Sequence, residues 1–212
     1  MNHKYQLMNI FLRFFFFPVL IVSFVQVSSI AQSTYFDEIM AYRNTYINNF
    51  LTEKDSPLDS SGVKLLDFFE PDSTYRVIAK VKLRKHQKTF EMATSDGTSK
   101  TFREYARLHF VANNTKVILP VYQYLGRNMS VLHPEHLFLP FTDYTNGEET
   151  YGGGRYINLS IKDIHHGMVT IDFNKAYNPY CTYKEGYRCP VPPKANAIKT
   201  EIKAGEKAYK HE

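Results

Sequence analysis

The chain has 212 residues, a formal net charge of +5 and 43% hydrophobic residues, with 16 Tyr and 16 Phe. This composition excludes a globally disordered chain, because it supplies enough apolar surface for a core. The length favours one domain. The charge is mild and no basic cluster is interleaved with aromatic residues, so nucleic acid is not an expected partner.

The first 31 residues have the features of a secretory signal peptide in the usual order. Lys4 and Arg13 supply positive charge, an apolar run covers residues 14–25, and Ser29 and Ala31 are small residues where a signal peptidase cleaves. The run is short for a membrane span, and a retained anchor is the alternative interpretation. We therefore predict an exported protein, periplasmic or extracellular, with no transmembrane span in its mature form.

The next part of the chain changes from a helical to a strand period. Residues 34–53 predict one amphipathic helix with Thr34 as its N-cap. Beyond it, Asp96-Gly97 predicts a tight hairpin turn, the basic run 82–88 is interpreted as a solvated hairpin turn, and Pro120 predicts an edge strand or a bulge. An antiparallel meander is expected from four strands, at residues 75–83, 89–93, 101–111 and 116–122.

Further strands are predicted at residues 137–141, 155–161, 168–173 and 198–202. The fold class that follows is mainly β (α+β): an antiparallel β-barrel, a curled sheet or a sandwich, with one N-terminal amphipathic helix. We expect a single globular domain over residues 32–207 and a frayed tail over residues 208–212.

Three consecutive glycines, Gly152, Gly153 and Gly154, precede Arg155 and mark the first candidate site. A phosphate-binding P-loop is excluded, because it needs Gly-Lys-Ser/Thr and a following helix. Two interpretations remain open. The glycines form either a tight structural bend or an anion-binding nest of backbone N–H groups beside the arginine.

Arg155 and Asp172 lie on successive predicted strands with a short connection, so they are expected to be neighbours. Either they form an ion pair that locks the sheet, or Arg155 holds a carboxylate or phosphate while Asp172 orients it or acts as a base. Asn174 and Asn178 follow closely. The candidate ligand-binding residues are Gly152, Gly153, Gly154, Arg155, Asp172, Asn174 and Asn178.

Cys181 and Cys189 are the only cysteines. In an exported protein such a pair predicts a disulfide. Half of a zinc site and a reactive thiol are the alternatives. No third ligand stands at a recognisable metal spacing, so neither a metal nor a cofactor is predicted.

Four motifs carry a resemblance to a known family: PFTDYTNGEETYGGGRY from residue 140, DFNKAYNPYC from 172, CPVPP from 189 and IKAGEK from 202. With them the chain resembles an uncharacterised prokaryotic family, domain of unknown function 1684. The resemblance covers nearly all of the mature chain and implies a shared fold and polar patch, but no activity. It departs at Lys194-Ala195-Asn196, where the family usually has an acid before the Asn.

Two functions follow from these residues. The first is a non-catalytic cell-envelope module that binds a small anionic ligand or a partner. The second is a hydrolase-type enzyme with Asp172, Glu148 or Glu149 as base and Arg155 as electrostatic stabiliser. The sequence favours the first, because it has no Ser-His-Asp order, metal motif or cofactor fingerprint.

Overall fold

The structure is a computed structural model that describes residues 34–126 and 133–211. The predicted signal peptide lies outside these ranges. Helix α1 spans residues 34–52, which confirms the predicted amphipathic helix. Within the described ranges, no helix is long and apolar enough to cross a membrane.

Seven strands form one antiparallel sheet. They are β1 (Arg76–Leu83), β2 (Thr89–Ala93), β3 (Ser99–Ala112), β4 (Thr115–Tyr124), β5 (His136–Phe141), β6 (Arg155–Ser160) and β7 (Met168–Asp172). Their order is β6-β5-β4-β3-β1-β7, with β2 also paired to β3. In the described part of the chain no ladder joins β6 to β7, so the sheet is curled and open. The predicted mainly β class is confirmed.

Strand β1 departs from the predicted meander, because it pairs with β3 rather than with β2, whereas β2 and β3 form the hairpin predicted at Asp96-Gly97. Both β1 and β2 pair with β3: Lys80–Leu83 of β1 lie opposite residues 106–109, and β2 lies opposite residues 99–103. Strands β1 and β2 are therefore both antiparallel to β3 and lie one after the other along its length. With 14 residues, β3 is long enough to pair with both. The basic run between them is a connection rather than a hairpin turn, and the hairpin prediction was wrong there.

Pro120 lies on an interior strand, because β4 has neighbours on both sides, so the edge-strand alternative was wrong. The register shift of the β3–β4 pair lies close by on β3, between residues 104 and 106, as the bulge alternative expects. A proline cannot donate a ladder bond, and the chain compensates with Asn196. The Asn196 Nδ2 donates to the carbonyls of Pro120 and Pro140, each at 2.8 Å. Its Oδ1 accepts from the Tyr122 hydroxyl at 2.7 Å. One buried amide thus joins β4 to β5.

The C-terminal segment packs as irregular chain. The predicted strand 198–202 is absent, and Ala197 makes only an isolated bridge with Thr142. Ile198 and Ile202 are nevertheless buried in the core. In the described part of the predicted tail, the Tyr209 hydroxyl donates to the Gly62 carbonyl at 3.2 Å. Apolar residues on alternate strand positions fill that core, among them Leu108, Leu119, Leu139, Ile157 and Ile171.

Candidate functional site

Arg155 is completely buried, and its partner is Asp143 rather than Asp172. The Arg155 Nη2 lies 2.9 Å from the Asp143 Oδ2. The guanidinium also donates to the carbonyls of Ile202 at 2.8 Å and Ala204 at 2.5 Å. We call this group of side chains and carbonyls the polar network. The predicted pair was wrong, because Asp143 enters the core from the loop that follows β5.

The polar network fixes two irregular segments at once. Asp143 Oδ1 accepts from the Thr145 hydroxyl at 2.6 Å and from the Ile202 N–H at 3.1 Å. Burial lowers the pKa of Arg155, and the charge of Asp143 opposes that effect. The guanidinium makes its contacts inside the core and is not exposed to solvent, so Arg155 is not accessible to a ligand.

The glycine run serves the same packing. Gly154 has a φ of +90°, and a Cβ there would lie 2.6 Å from the Phe141 carbonyl oxygen. Only glycine therefore lets the chain turn against β5 and deliver Arg155 into the core. Gly152 and Gly153 are exposed. The bend interpretation therefore accounts for Gly154.

Asp172 and Asn174 lie at the end of β7, away from Arg155. The Asp172 Oδ1 accepts from the Asn174 N–H at 3.0 Å and caps a short 3-10 helix. The Asn174 Nδ2 donates to the Asp72 carbonyl at 2.8 Å. Asp172 also lines a cavity of about 560 Å³ together with Arg76 and Lys175. This cavity therefore contains one predicted site residue and mixed charges.

Asn178 belongs to a third group, around the fully buried Glu206. The Glu206 carboxylate accepts from the Asn178 N–H at 2.9 Å, from the Tyr183 hydroxyl at 2.6 Å and from the Tyr46 hydroxyl at 3.1 Å. Burial raises the pKa of Glu206, although these hydrogen bonds act against the rise. The seven predicted site residues thus do not converge on one pocket.

A larger cavity of about 660 Å³ lies between helix α1 and the sheet. We call it the aromatic cleft, because rings form much of its wall. Phe138 and Tyr156 meet edge to face at 4.7 Å, and Tyr156 meets Tyr177 at 5.8 Å. Such edge-to-face contacts stabilise a fixed apolar surface. The aromatic residues of the wall include Tyr46, Phe138, Tyr156, Tyr177, Tyr180 and Tyr187.

Hydrogen bonds hold several of these rings. The Asn158 Oδ1 accepts from the Tyr177 hydroxyl at 2.9 Å and lies 3.1 Å from the His136 Nε2. The Tyr180 hydroxyl donates to Glu53 at 3.1 Å. Burial, and then the charge of Glu53, raises the pKa of Tyr180 to about 12. These phenols therefore remain neutral donors at physiological pH.

Charged groups in the cleft wall are mainly cationic. Lys100 and Arg188 both line it, and Glu53 supplies one acid. Arg188 is tied to the hairpin turn of β2 and β3 by Asp96, at 3.3 Å. Lys100 is the second residue of β3, so both cations come from the side of the cleft that this hairpin forms.

The cysteines are free thiols in the structure, so the predicted disulfide is not formed. They are nevertheless adjacent, since the Cys181 N–H lies 3.1 Å from the Cys189 Sγ. A hydrogen bond from Cys189, with a further one from Ser95, lowers the pKa of Cys181 to about 6. The same contact, followed by burial, raises the pKa of Cys189. Cys189 also lines the aromatic cleft.

Over residues 34–126 and 133–211, no group of three or more His, Cys, Asp and Glu side chains is placed to hold a metal ion. The histidines at 133 and 136 do not form such a group, and His136 instead begins β5 and lines the aromatic cleft.

The comparisons with known proteins place this chain in a family. A family model described as a protein of unknown function, DUF1684, matches residues 62–207. The chain belongs to this family. A solution NMR structure of an uncharacterized protein from Haloarcula marismortui is similar, with 30% sequence identity and a TM-score of 0.64, over 84% of this chain and 96% of that one. A search of curated proteins finds no match.

The family motifs therefore coincide mostly with the buried groups. Arg155, Asp143 and Glu206 all lie within them and all bind inside the fold. Sequence reasoning missed the aromatic cleft, although one signal was present: Tyr177, Tyr180, Tyr183 and Tyr187 recur every three or four residues. Several tyrosines so close together in a Pro-rich loop are typical of rings that pack against one another, and Tyr180 does contact both Tyr183 and Tyr187.

Proposed function

We propose that this protein is a non-catalytic binding module, and that its ligand is a small molecule with an apolar or aromatic body and an anionic group. The supporting observation is the aromatic cleft. Its volume of about 660 Å³ falls within the usual range for small-molecule sites, roughly 300 to 1,000 Å³. Rings would cover the ligand body, and Lys100 and Arg188 would bind its anionic end.

The contacts of Arg155 and of the acidic candidates argue against the alternative function, a hydrolase-type enzyme. Arg155 would have to leave the core to stabilise a transition state, and that would leave Asp143 as a buried charge without its cation. Glu149 is bound to Lys203 at 2.8 Å. The Asp172 Oδ1 accepts from the Asn174 N–H at 3.0 Å and caps a short 3-10 helix, so this oxygen is engaged within the fold.

Export remains part of the proposal. The order of charge, apolar run and small residues in residues 1–31 supports a cleaved signal peptide and a periplasmic or extracellular protein. The test is the intact mass of the protein purified from its native host. A mass that still includes residues 1–31 would contradict cleavage.

The ligand test is a thermal-shift screen with aromatic and aliphatic carboxylates, phosphates and sulfated sugars. A ligand at one hundred times its dissociation constant stabilises the fold by roughly 2.7 kcal/mol. For a domain of this size that raises the melting temperature by roughly 5 to 10 °C.

Arg188→Gln and Lys100→Gln should each weaken this shift without lowering the melting temperature of the free protein. Lys162→Gln is the matched control, because Lys162 is an exposed cation outside the cleft. The proposal is wrong if no compound shifts the wild type, or if the cleft variants and the control respond equally.

A further inference from the structure

The outer face of the sheet carries exposed cations and exposed apolar side chains in the same rows. Lys80 of β1 lies opposite His109 of β3 on one side and Met168 of β7 on the other. His109 in turn lies opposite Ile118 of β4. Directly opposite residues of an antiparallel sheet project to the same side. One row therefore reads Met168, Lys80, His109 and Ile118.

The neighbouring rows repeat this mixture. Lys82 lies opposite Arg107, and Val111 lies opposite Lys116. Four apolar side chains are largely exposed: Ile78 at 67%, Val111 at 53%, Ile118 at 52% and Met168 at 44%. We call this surface the basic face, defined by Ile78, Lys80, Lys82, Arg107, His109, Val111, Lys116, Ile118 and Met168.

The cations of the basic face are close together and largely uncompensated. Glu104 binds Arg107 at 2.8 Å. Lys80, Lys82 and Lys116 make no ion pair within the described residues. Burial, followed by the charges of Lys82, Arg107 and Lys80, lowers the pKa of His109. The face is therefore a positively charged surface with little compensation by acidic side chains.

We propose that the basic face docks the protein on the surface of an anionic lipid bilayer. Lysine stems lie along an apolar boundary while their ammonium groups reach the lipid headgroups. The four apolar side chains between them fit the boundary of the acyl region. The cores of protein–protein interfaces are depleted of Lys and enriched in aromatic residues, whereas this face has three lysines and no Phe or Tyr.

The test is co-sedimentation with vesicles of phosphatidylcholine, with and without phosphatidylglycerol. The full chain should bind vesicles that contain phosphatidylglycerol more tightly than vesicles of phosphatidylcholine alone, and added salt should weaken the difference. The triple variant Lys80→Gln, Lys82→Gln, Lys116→Gln should bind roughly 100-fold more weakly, from the usual contribution of each lysine near an anionic surface. The double variant Ile78→Ser, Ile118→Ser should also weaken binding.

The matched control changes three exposed lysines elsewhere, Lys162, Lys184 and Lys203, to Gln. It has the same net charge as the triple variant and should bind like the wild type. All variants share the N-terminal segment, so their differences report on the face alone. Equal loss in the control, or equal binding of the wild type to both vesicle types, would overturn the proposal. Wild-type protein that binds neither vesicle would overturn it too.

Discussion

The polar network around Arg155 and the aromatic cleft use polar groups in opposite ways. In the network, every contact of Arg155 and Asp143 points inward, and both side chains are fully buried. In the cleft, the polar groups stand on the rim of an open cavity, and Arg188 is 67% exposed. Buried charges must find partners within the fold, whereas Arg188 pairs with Asp96 and still remains accessible to a ligand from solvent.

This difference teaches that a conspicuous polar motif is not by itself a binding site. Gly154 and Arg155 stand out in the sequence because the fold needs a glycine at a positive φ and a cation in its core. The cleft is inconspicuous because tyrosines and phenylalanines from separate elements assemble it. The glycine and the charged residue that stand out in the sequence are therefore required by the fold, whereas the accessible cavity is lined mainly by aromatic side chains.

The largest effect should come from the polar network. Arg155→Met should reduce the free energy of unfolding by about 3 to 5 kcal/mol, because it leaves Asp143 buried without its cation. Urea denaturation measures this loss. Arg84→Met is the control, since Arg84 is 41% exposed and pairs with Glu104 at the surface. Unchanged stability together with lost ligand binding would return Arg155 to the role of a ligand-binding residue.

A smaller loss is expected at the amide that joins β4 to β5. Asn196→Ala removes the donor for the carbonyls of Pro120 and Pro140. Unpaired buried groups of this kind cost about 1 to 3 kcal/mol. Asn48→Ala, on the exposed side of helix α1, should change the free energy of unfolding by less than about 0.5 kcal/mol. Equal effects of the two substitutions would show that the amide does not join the strands.

The two regions also differ in how far the sequence predicts them. Strands β3, β4, β6 and β7 follow from local alternation, β5 follows from a short apolar run, and helix α1 follows from its own apolar spacing. The pairing of β1 with β3, past β2, depends on tertiary structure, and so does the choice of Asp143 over Asp172 for Arg155. Asp143 and Asp172 are both close to Arg155 in the sequence, so the sequence does not show which of them forms the ion pair. The packing of the folded core determines it. The aromatic cleft could not be predicted from the sequence for the same reason, because helix α1, the sheet and the loop containing Tyr180 all contribute residues to it.

Glu206 gives the polar interior a pH dependence. Its folded-state pKa is raised above the ordinary 4.5, so the folded protein holds a proton that the unfolded chain releases. The associated stability is complete below about 4.5 and is lost as pH rises through the raised pKa. Glu206→Gln should remove this contribution to the dependence of the free energy of unfolding on pH.

The measurement is urea denaturation of the wild type and Glu206→Gln at a series of pH values. The wild type should lose stability relative to the variant as the pH rises from about 4.5. Glu149→Gln, which changes an exposed acid, is the control. A difference that stays constant with pH, or that grows in favour of the wild type, would contradict burial as the dominant influence on Glu206.

The last prediction concerns the thiol pair in the cleft wall, where Cys189 meets Cys181. With reduced protein, the thiolate absorbance of Cys181 should titrate near pH 6. Cys189→Ala should move this midpoint up towards the ordinary 9.0, because it removes the hydrogen bond that contributes most to the lowered pKa. The chain has only two cysteines, so the titration is read without interference from other thiols. Ser95→Ala should give a smaller upward shift, since Ser95 contributes less. A wild-type midpoint near 9 would place the two sulfurs too far apart to share a proton, and an unreduced sample without alkylatable thiols would show that the pair closes into a disulfide in solution.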